Sequence, residues 1–225
     1  MLQREGEVPM QLPKESGSYG SLVRVAVYTS RLLRRSKYEA LAADLIVGLT
    51  SVRRRGRIWE DSEDAVQGGL ADRDGADDDL DDVGQEARLG VASTSVAAVR
   101  EAPYTQIFPQ GVGYYTAAPL DQEVTRYTEL KQRLETHLPE ANPIRVNAVP
   151  RIEMGIIEFT AATNTLTAAE RDQVIARTEL VHAIRSLRRQ LEKTYGLLVA
   201  DIGKIKAERY FPKVKSSKKD ADDEG

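Results

Sequence analysis

The feature that most limits how this chain can fold is an apolar rhythm in its last third. Ile152, Ile156, Phe159, Thr163 and Leu166 are spaced four, three, four and three. The pattern resumes at Val174, Thr178, Val181, Ile184, Leu187 and Leu191, then continues through Tyr195, Leu198, Ile202 and Ile205. Alternating threes and fours draw one stripe along an α-helix and suit coiled-coil-like packing. Pro150 is a favourable first-turn residue, so the helix is expected to begin there. The stretch 163–167 is its weak link, because Thr167 with Glu170 can form a capping box that opens a separate helix. One long helix, straight or kinked, is the favoured alternative. Unbroken, it would run for roughly 55 residues and about 80 Å. A core a few tens of ångströms across cannot cover such a rod, so other helices, another subunit or both must.

Three further helices are expected upstream. The first begins near Ser18 to Ser21, where serine can cap it. Leu22, Val25, Thr29, Leu32 and Leu33 share one face, continued by Leu41, Leu45, Leu49 and Val52 across a weak patch at 36–40. It should reach at least Arg57, with Val66 as the longer alternative, roughly 40 residues. Residues 67–79 carry Gly68, Gly69, Gly75 and a dense run of aspartates, and read as an exposed acidic loop between antiparallel helices. A second helix is expected from about Asp78 to Asp82, where carboxylates favour a helix start, to just before Pro103. Residues 103–119 hold Pro109, Gly111, Gly113 and Pro119 among Tyr104, Phe108, Tyr114 and Tyr115. That mixture reads as an aromatic, non-helical connector. A third helix follows Pro119 and carries Val124, Tyr127, Leu130, Leu134 and Leu138. Residues 1–18 read as a flexible arm and 209–225 as a charged tail, leaving 19–208 as the bundle.

The chain has 225 residues, of which 41% are hydrophobic, 6% aromatic and 30% charged. That balance suits long helices with narrow apolar stripes and wide wetted faces. There is no cysteine, which excludes disulfides and thiolate chemistry. No apolar run approaches the roughly 20 residues of a membrane span, and the first 21 residues lack the apolar core of a secretory signal. The reading is a cytoplasmic protein. The net charge is −3, but the charges are segregated. Arg31, Arg34, Arg35 and Lys37 form one basic block and Arg53, Arg54, Arg55 and Arg57 another, followed by acidic residues 60–86.

Candidate chemistry is thin. His137 and His182 are the only histidines, and each reads as a surface or capping residue. Glu179 and His182 have the spacing of a di-metal helix motif, with Glu153 and Glu158 on the same helix. Such sites need the motif from two helices, and only one copy exists. The aspartates of 72–82 have the composition of a calcium loop, but Gly75 comes too early and no distal bidentate Glu follows. Phosphate-binding glycine loops and nucleophile elbows are absent. No catalytic residue, metal or cofactor is therefore expected. Trp59 reads as a local packing anchor. Arg53, Arg54, Arg55 and Arg57 form a possible anion-binding block, with the C-terminal lysines beside it in charge if not in sequence.

The segment 104–111, followed by Ala118, Pro119 and Leu120, resembles a connector in a loose group of uncharacterised bacterial long-helix bundle proteins. Residues 195–198, leading to Arg209, Tyr210, Phe211 and Pro212, are similar to the C-terminal pattern of that group. The resemblance spans roughly 85–212 and implies architecture only. The expected fold is thus all-α: an elongated antiparallel helical bundle with long coiled-coil-like helices and an aromatic non-helical connector. The expected function is a non-catalytic structural or assembly subunit, homo-oligomeric or scaffolding other proteins, with nucleic-acid association as the alternative. Core or interface candidates are Leu22, Leu32, Leu45, Ile156, Phe159, Val181, Leu191 and Leu198. The connector residues Tyr104, Ile107, Phe108, Tyr114 and Tyr115 join them as contact candidates, because their apolar side chains lie outside the helix stripes.

Overall fold

The computed structural model describes residues 12–13 and 19–213. Among them there is no strand, and the chain is an all-α bundle. Its helices are α1 (Tyr19–Arg34), α2 (Glu39–Ala92), α3 (Tyr104–Ile107), α4 (Gly113–Thr116), α5 (Glu123–His137), α6 (Pro143–Ile202) and α7 (Lys204–Glu208). The chain divides into two compact units. Of the described residues, unit 1 holds those up to Asp61 and those from Val174 to Lys213, and unit 2 holds Ser62–Gln173.

In unit 1, α1, the first part of α2 and the last part of α6 surround one core. Leu22, Val25, Ala26 and Leu33 of α1 meet Leu45, Leu49 and Val52 of α2. Leu180, Leu187, Leu191 and Leu198 come from α6. The apolar face suggests one helix from about residue 19 to Arg57, but the weak patch is a turn. Ser36 closes it, its hydroxyl donating to the Leu33 carbonyl at 2.7 Å while its oxygen accepts the Tyr38 N–H at 3.3 Å. Serine competes well for such local backbone bonds and so favours turns over helix interiors. α1 consequently folds back on α2, and the Tyr19 hydroxyl donates to Glu60 at 2.6 Å. Leu32, expected in the core, is only part-buried, and Leu33 beside it takes that place with no exposed surface.

In unit 2 the rest of α2 packs on α5 and the first part of α6. The expected acidic loop at 67–79 is helix, so the first and second expected helices merge there into α2, which ends earlier, at Ala92. A seven-residue recurrence explains this. Val66, Leu80 and Ala87 are buried at that spacing, with Arg73 part-buried between them. Gly69, Ala76 and Val83 recur likewise on the neighbouring row. Packing of that row outweighs like-charge repulsion on the wet side, which is worth only about 0.2–0.5 kcal/mol per neighbouring pair.

α6 begins at Pro143, seven positions before the expected start, and Pro150 lies inside it. It is unbroken through 163–167. There Thr165 and Thr167 turn their hydroxyls onto the carbonyls of Ala161 and Thr163, each at 2.9 Å. The seam also differs in detail from the sequence reading. Ile152, Phe159, Leu166, Leu180 and Leu187 are buried, a strict seven-residue series broken only by Gln173. Val174 and Val181, expected on that stripe, are 65% and 37% exposed. Beside the large series runs a small one: Ala148, Gly155, Ala162, Ala169, Ala176 and Ala183.

Small residues let the backbones of α2 and α6 approach closely. In unit 2 a Cβ on Gly69 would stand 3.1 Å from the Leu166 Cα, and one on Gly155 would stand 2.6 Å from Leu80 Cδ2. Residue numbers rise along α2 as they fall along α6, so the pair is antiparallel. The same direction holds within unit 1, where Gly48 faces Gln190 and Arg55 pairs with Glu179.

Gly68 and Gly69 provide a matched test. A Cβ at Gly68 meets nothing within 4 Å. Gly68→Ala should therefore raise stability by up to about 1 kcal/mol through helix propensity. Gly69→Val should lower it by about 1–3 kcal/mol through overpacking against a backbone that cannot rotate away. Urea denaturation followed by circular dichroism reads both. Equal shifts in the same direction would contradict the close approach.

Candidate functional site

The connector between α2 and α5 is built as core rather than as free surface. Expected to be non-helical, it contains two single helical turns, α3 and α4, joined through Gly111 at φ +80°. Ile107, Phe108 and Tyr115 are buried among Leu130, Leu134 and Ile152. The Tyr115 hydroxyl donates to the Ile107 carbonyl at 2.9 Å, tying the two turns together. Burial pushes the Tyr115 phenol up to about 12. Tyr104 and Tyr114 remain part-exposed. Arg126 of α5 lies over the Tyr114 ring at 4.5 Å and donates to its carbonyl at 2.6 Å. Of the expected contact candidates on the helices, Phe159, Leu191 and Leu198 are enclosed by their own units, and Ile156 is part-buried.

The arginine block divides by helix geometry. Arg55 points toward α6 and pairs with Glu179. Arg53, Arg54 and Arg57 are exposed. That pairing also engages the carboxylate of the Glu179–His182 spacing, and His182 is exposed. His137 occupies the last turn of α5, where an imidazole suits the helix C-terminus. Among the described residues no three acidic or histidine side chains are grouped to hold a metal ion. Trp59 is part-buried against the core of unit 1.

Sequence reasoning misses the buried carboxyl of Glu123. It opens α5 and is 1% exposed. An acid in a first turn signals only a favourable helix start, and nothing in the local pattern marks it as buried. Asp77 and Asp81 approach it from α2, and Tyr127 and Arg126 flank it on α5. The Tyr127 hydroxyl donates to Asp81 Oδ1 at 2.8 Å. Glu123 Oε1 is buried without a hydrogen-bond partner. Loss of water, reinforced by the charges of Asp77 and Asp81 and opposed by Arg126, raises the Glu123 carboxyl to about 8. Burial also raises Asp77 and Asp81. At neutral pH Glu123 is therefore a neutral acid in an acidic neighbourhood.

No family model matches the chain, and neither does any curated protein or solved structure. The class that the fold itself defines is an all-α bundle of long helices. Among the described residues no helix is long and apolar enough to cross a membrane.

The sign of the Glu123 effect can be tested. The folded carboxyl holds its proton up to about 8, whereas the unfolded one releases it near its ordinary value of 4.5. Stability should therefore fall as pH rises between those values and then level off. Each unit of difference is worth about 1.4 kcal/mol. Glu123→Gln should remove most of that decline and stabilise the protein at about pH 8.5 relative to the parent. Urea midpoints at about pH 5, 7 and 8.5 read it. Parallel pH profiles in parent and variant would refute the assignment.

Proposed function

We propose that this protein is a non-catalytic structural or assembly subunit that associates with further copies of itself through the outer face of α6. One observation carries the reading. In unit 2, α6 buries Ile152 and Phe159 on one side, yet Val146, Met154 and Ile157 on its other side are 59%, 55% and 63% exposed. A helix that is apolar on two sides is expected to have neighbours on both. Grouped exposed apolar residues mark contact surfaces more often than scattered ones do. A second copy is the favoured occupant, because closed self-association is the commonest form of oligomer. Within unit 2 the antiparallel packing of α6 on α2 supports that surface from behind.

A second reading is favoured by one feature only. Arg53, Arg54 and Arg57 are exposed on α2 and make no ion pair among the described residues. A phosphate backbone could use them, with Lys204, Lys206 and Lys213 as further cations. Binding to heparin or duplex DNA that collapses steeply between low and physiological salt would favour this reading over self-association.

Sedimentation velocity with light scattering tests the first reading. A stable particle at a multiple of 24.9 kDa is expected. Met154→Glu with Ile157→Glu should shift it to the monomer by about 2 kcal/mol or more per contact, with helicity unchanged. A monomer at all concentrations, or an oligomer indifferent to both charges, would sink the reading.

A further inference from the structure

Unit 1 contains a cleft that the self-association reading does not use. The turn between α1 and α2 and the junction of α6 with α7 border an open cleft of about 490 Å³. The fold builds it in two places. Ser36 fixes the turn through its bonds to Leu33 and Tyr38. Gly203, at φ +79°, ends α6 and redirects the chain into α7. Few residues other than glycine tolerate that φ. Ala207 and Phe211 then anchor the redirected segment in the core.

The lining has two characters. Leu32 and Ile202 provide an apolar floor, and the rings of Tyr38 and Tyr210 meet edge to face at 5.7 Å. Around them stand Arg35, Lys37, Lys206 and Arg209, while no carboxylate lines the cleft. Lys37 is neutralised, its Nζ lying 2.8 Å from Asp201, which also accepts the Tyr38 hydroxyl. Arg35, Lys206 and Arg209 make no ion pair among the described residues. Three unneutralised cations around an apolar hollow are an arrangement for a multiply charged anion with an apolar body. Two guanidinium forks match the oxygen geometry of phosphate better than point charges would. A phosphomonoester brings nearly two negative charges at neutral pH. The volume lies within the usual range of small-ligand sites, about 300–1,000 Å³.

We propose that this cleft binds an organic phosphate, whose oxygens are held by Arg35, Lys206 and Arg209 and whose apolar part lies on Tyr38, Tyr210 and Leu32. Arg35, Lys206 and Arg209 are exposed like Arg53, Arg54 and Arg57, but they share an apolar-floored cleft, and the latter three, which do not line it, serve as an internal control. The same headgroup chemistry could come from a soluble metabolite or from a phosphomonoester lipid.

The test is calorimetric titration of the full chain with phenyl phosphate, inorganic phosphate and phenol, at about 0.15 M salt, where open-surface attraction is largely screened. Phenyl phosphate should saturate at one site per chain and bind more tightly than inorganic phosphate, and phenol should not bind. Arg35→Ala and Arg209→Ala should each weaken it by about tenfold or more, close to 1.4 kcal/mol. Arg53→Ala with Arg54→Ala should leave it unchanged. Circular dichroism checks that each variant keeps its helices, and Lys206→Gln gives an independent milder change at the same cleft. Absence of saturable binding would overturn the proposal. So would equal loss in the Arg53 and Arg54 control, or inorganic phosphate binding as tightly as phenyl phosphate. Co-sedimentation with phosphatidylcholine vesicles containing phosphatidic acid, abolished by the Arg35 and Arg209 variants, would support the site and assign a lipid source. Binding of phenyl phosphate without vesicle binding would support it and assign a soluble one.

Discussion

Close approach of two antiparallel helices is the constraint on which everything else depends. Every seventh residue of α6 from Ala148 to Ala183 is alanine or glycine. α2 answers with Gly48, Ser62, Gly69, Ala76 and Gly90. Small residues on one helix receive large ones from the other, Gly69 taking Leu166 and Gly155 taking Leu80. The energy comes from dispersion and burial summed along the rows. The specificity comes from the register, because sliding either helix by one residue would set large side chains against one another.

Within each unit that pair gains a third helix and an end closure. In unit 1, α1 supplies the third wall and the segment after Gly203 closes the core with Ala207 and Phe211. In unit 2, α5 does the same and the aromatic turns provide the closure. The closures differ in chemistry. One is an edge-to-face tyrosine pair ringed by cations. The other is a dense aromatic cluster in which Phe108 and Tyr115 pack edge to face at 5.9 Å. The latter adjoins Glu123, a carboxyl kept neutral by burial, while the buried Tyr115 and Tyr127 hydroxyls find partners in the Ile107 carbonyl and Asp81.

The all-α class and the long terminal helix are legible in the sequence, because a three-four apolar rhythm sustained over many turns fits a helix and no strand. Four features are not. The turn at Ser36 has neither proline nor glycine, and besides the bonds of Ser36 it is held by Tyr38 meeting Tyr210 and Asp201, partners roughly 160–170 residues away that no local pattern displays. The helix through 67–79 is hidden by glycines and aspartates that look like a loop, although the seven-residue row of Gly69, Ala76 and Val83 carries its signal. The burial of Glu123 and of the connector aromatics depends on how α5 returns to α2, which is tertiary information. The displaced stripe beyond Leu166 has a simpler origin. The exposed Val174 and Val181 are more apolar than the Gln173 that continues the true row, so hydrophobicity alone points one position too far.

Pro150 has one further consequence. Having no N–H, it leaves the carbonyl of Val146 without its intrahelical donor. Val146 and Pro150 are both exposed on the outer side of α6, which leaves that position open to solvent water in the isolated chain. Any surface that covers Val146 must expel this water and offer a hydrogen-bond donor in its place, or retain a bridging water. A purely greasy neighbour would leave a dry, orphaned acceptor. Val146 thus gives α6 a chemical preference in what can lie against it, in addition to a hydrophobic one.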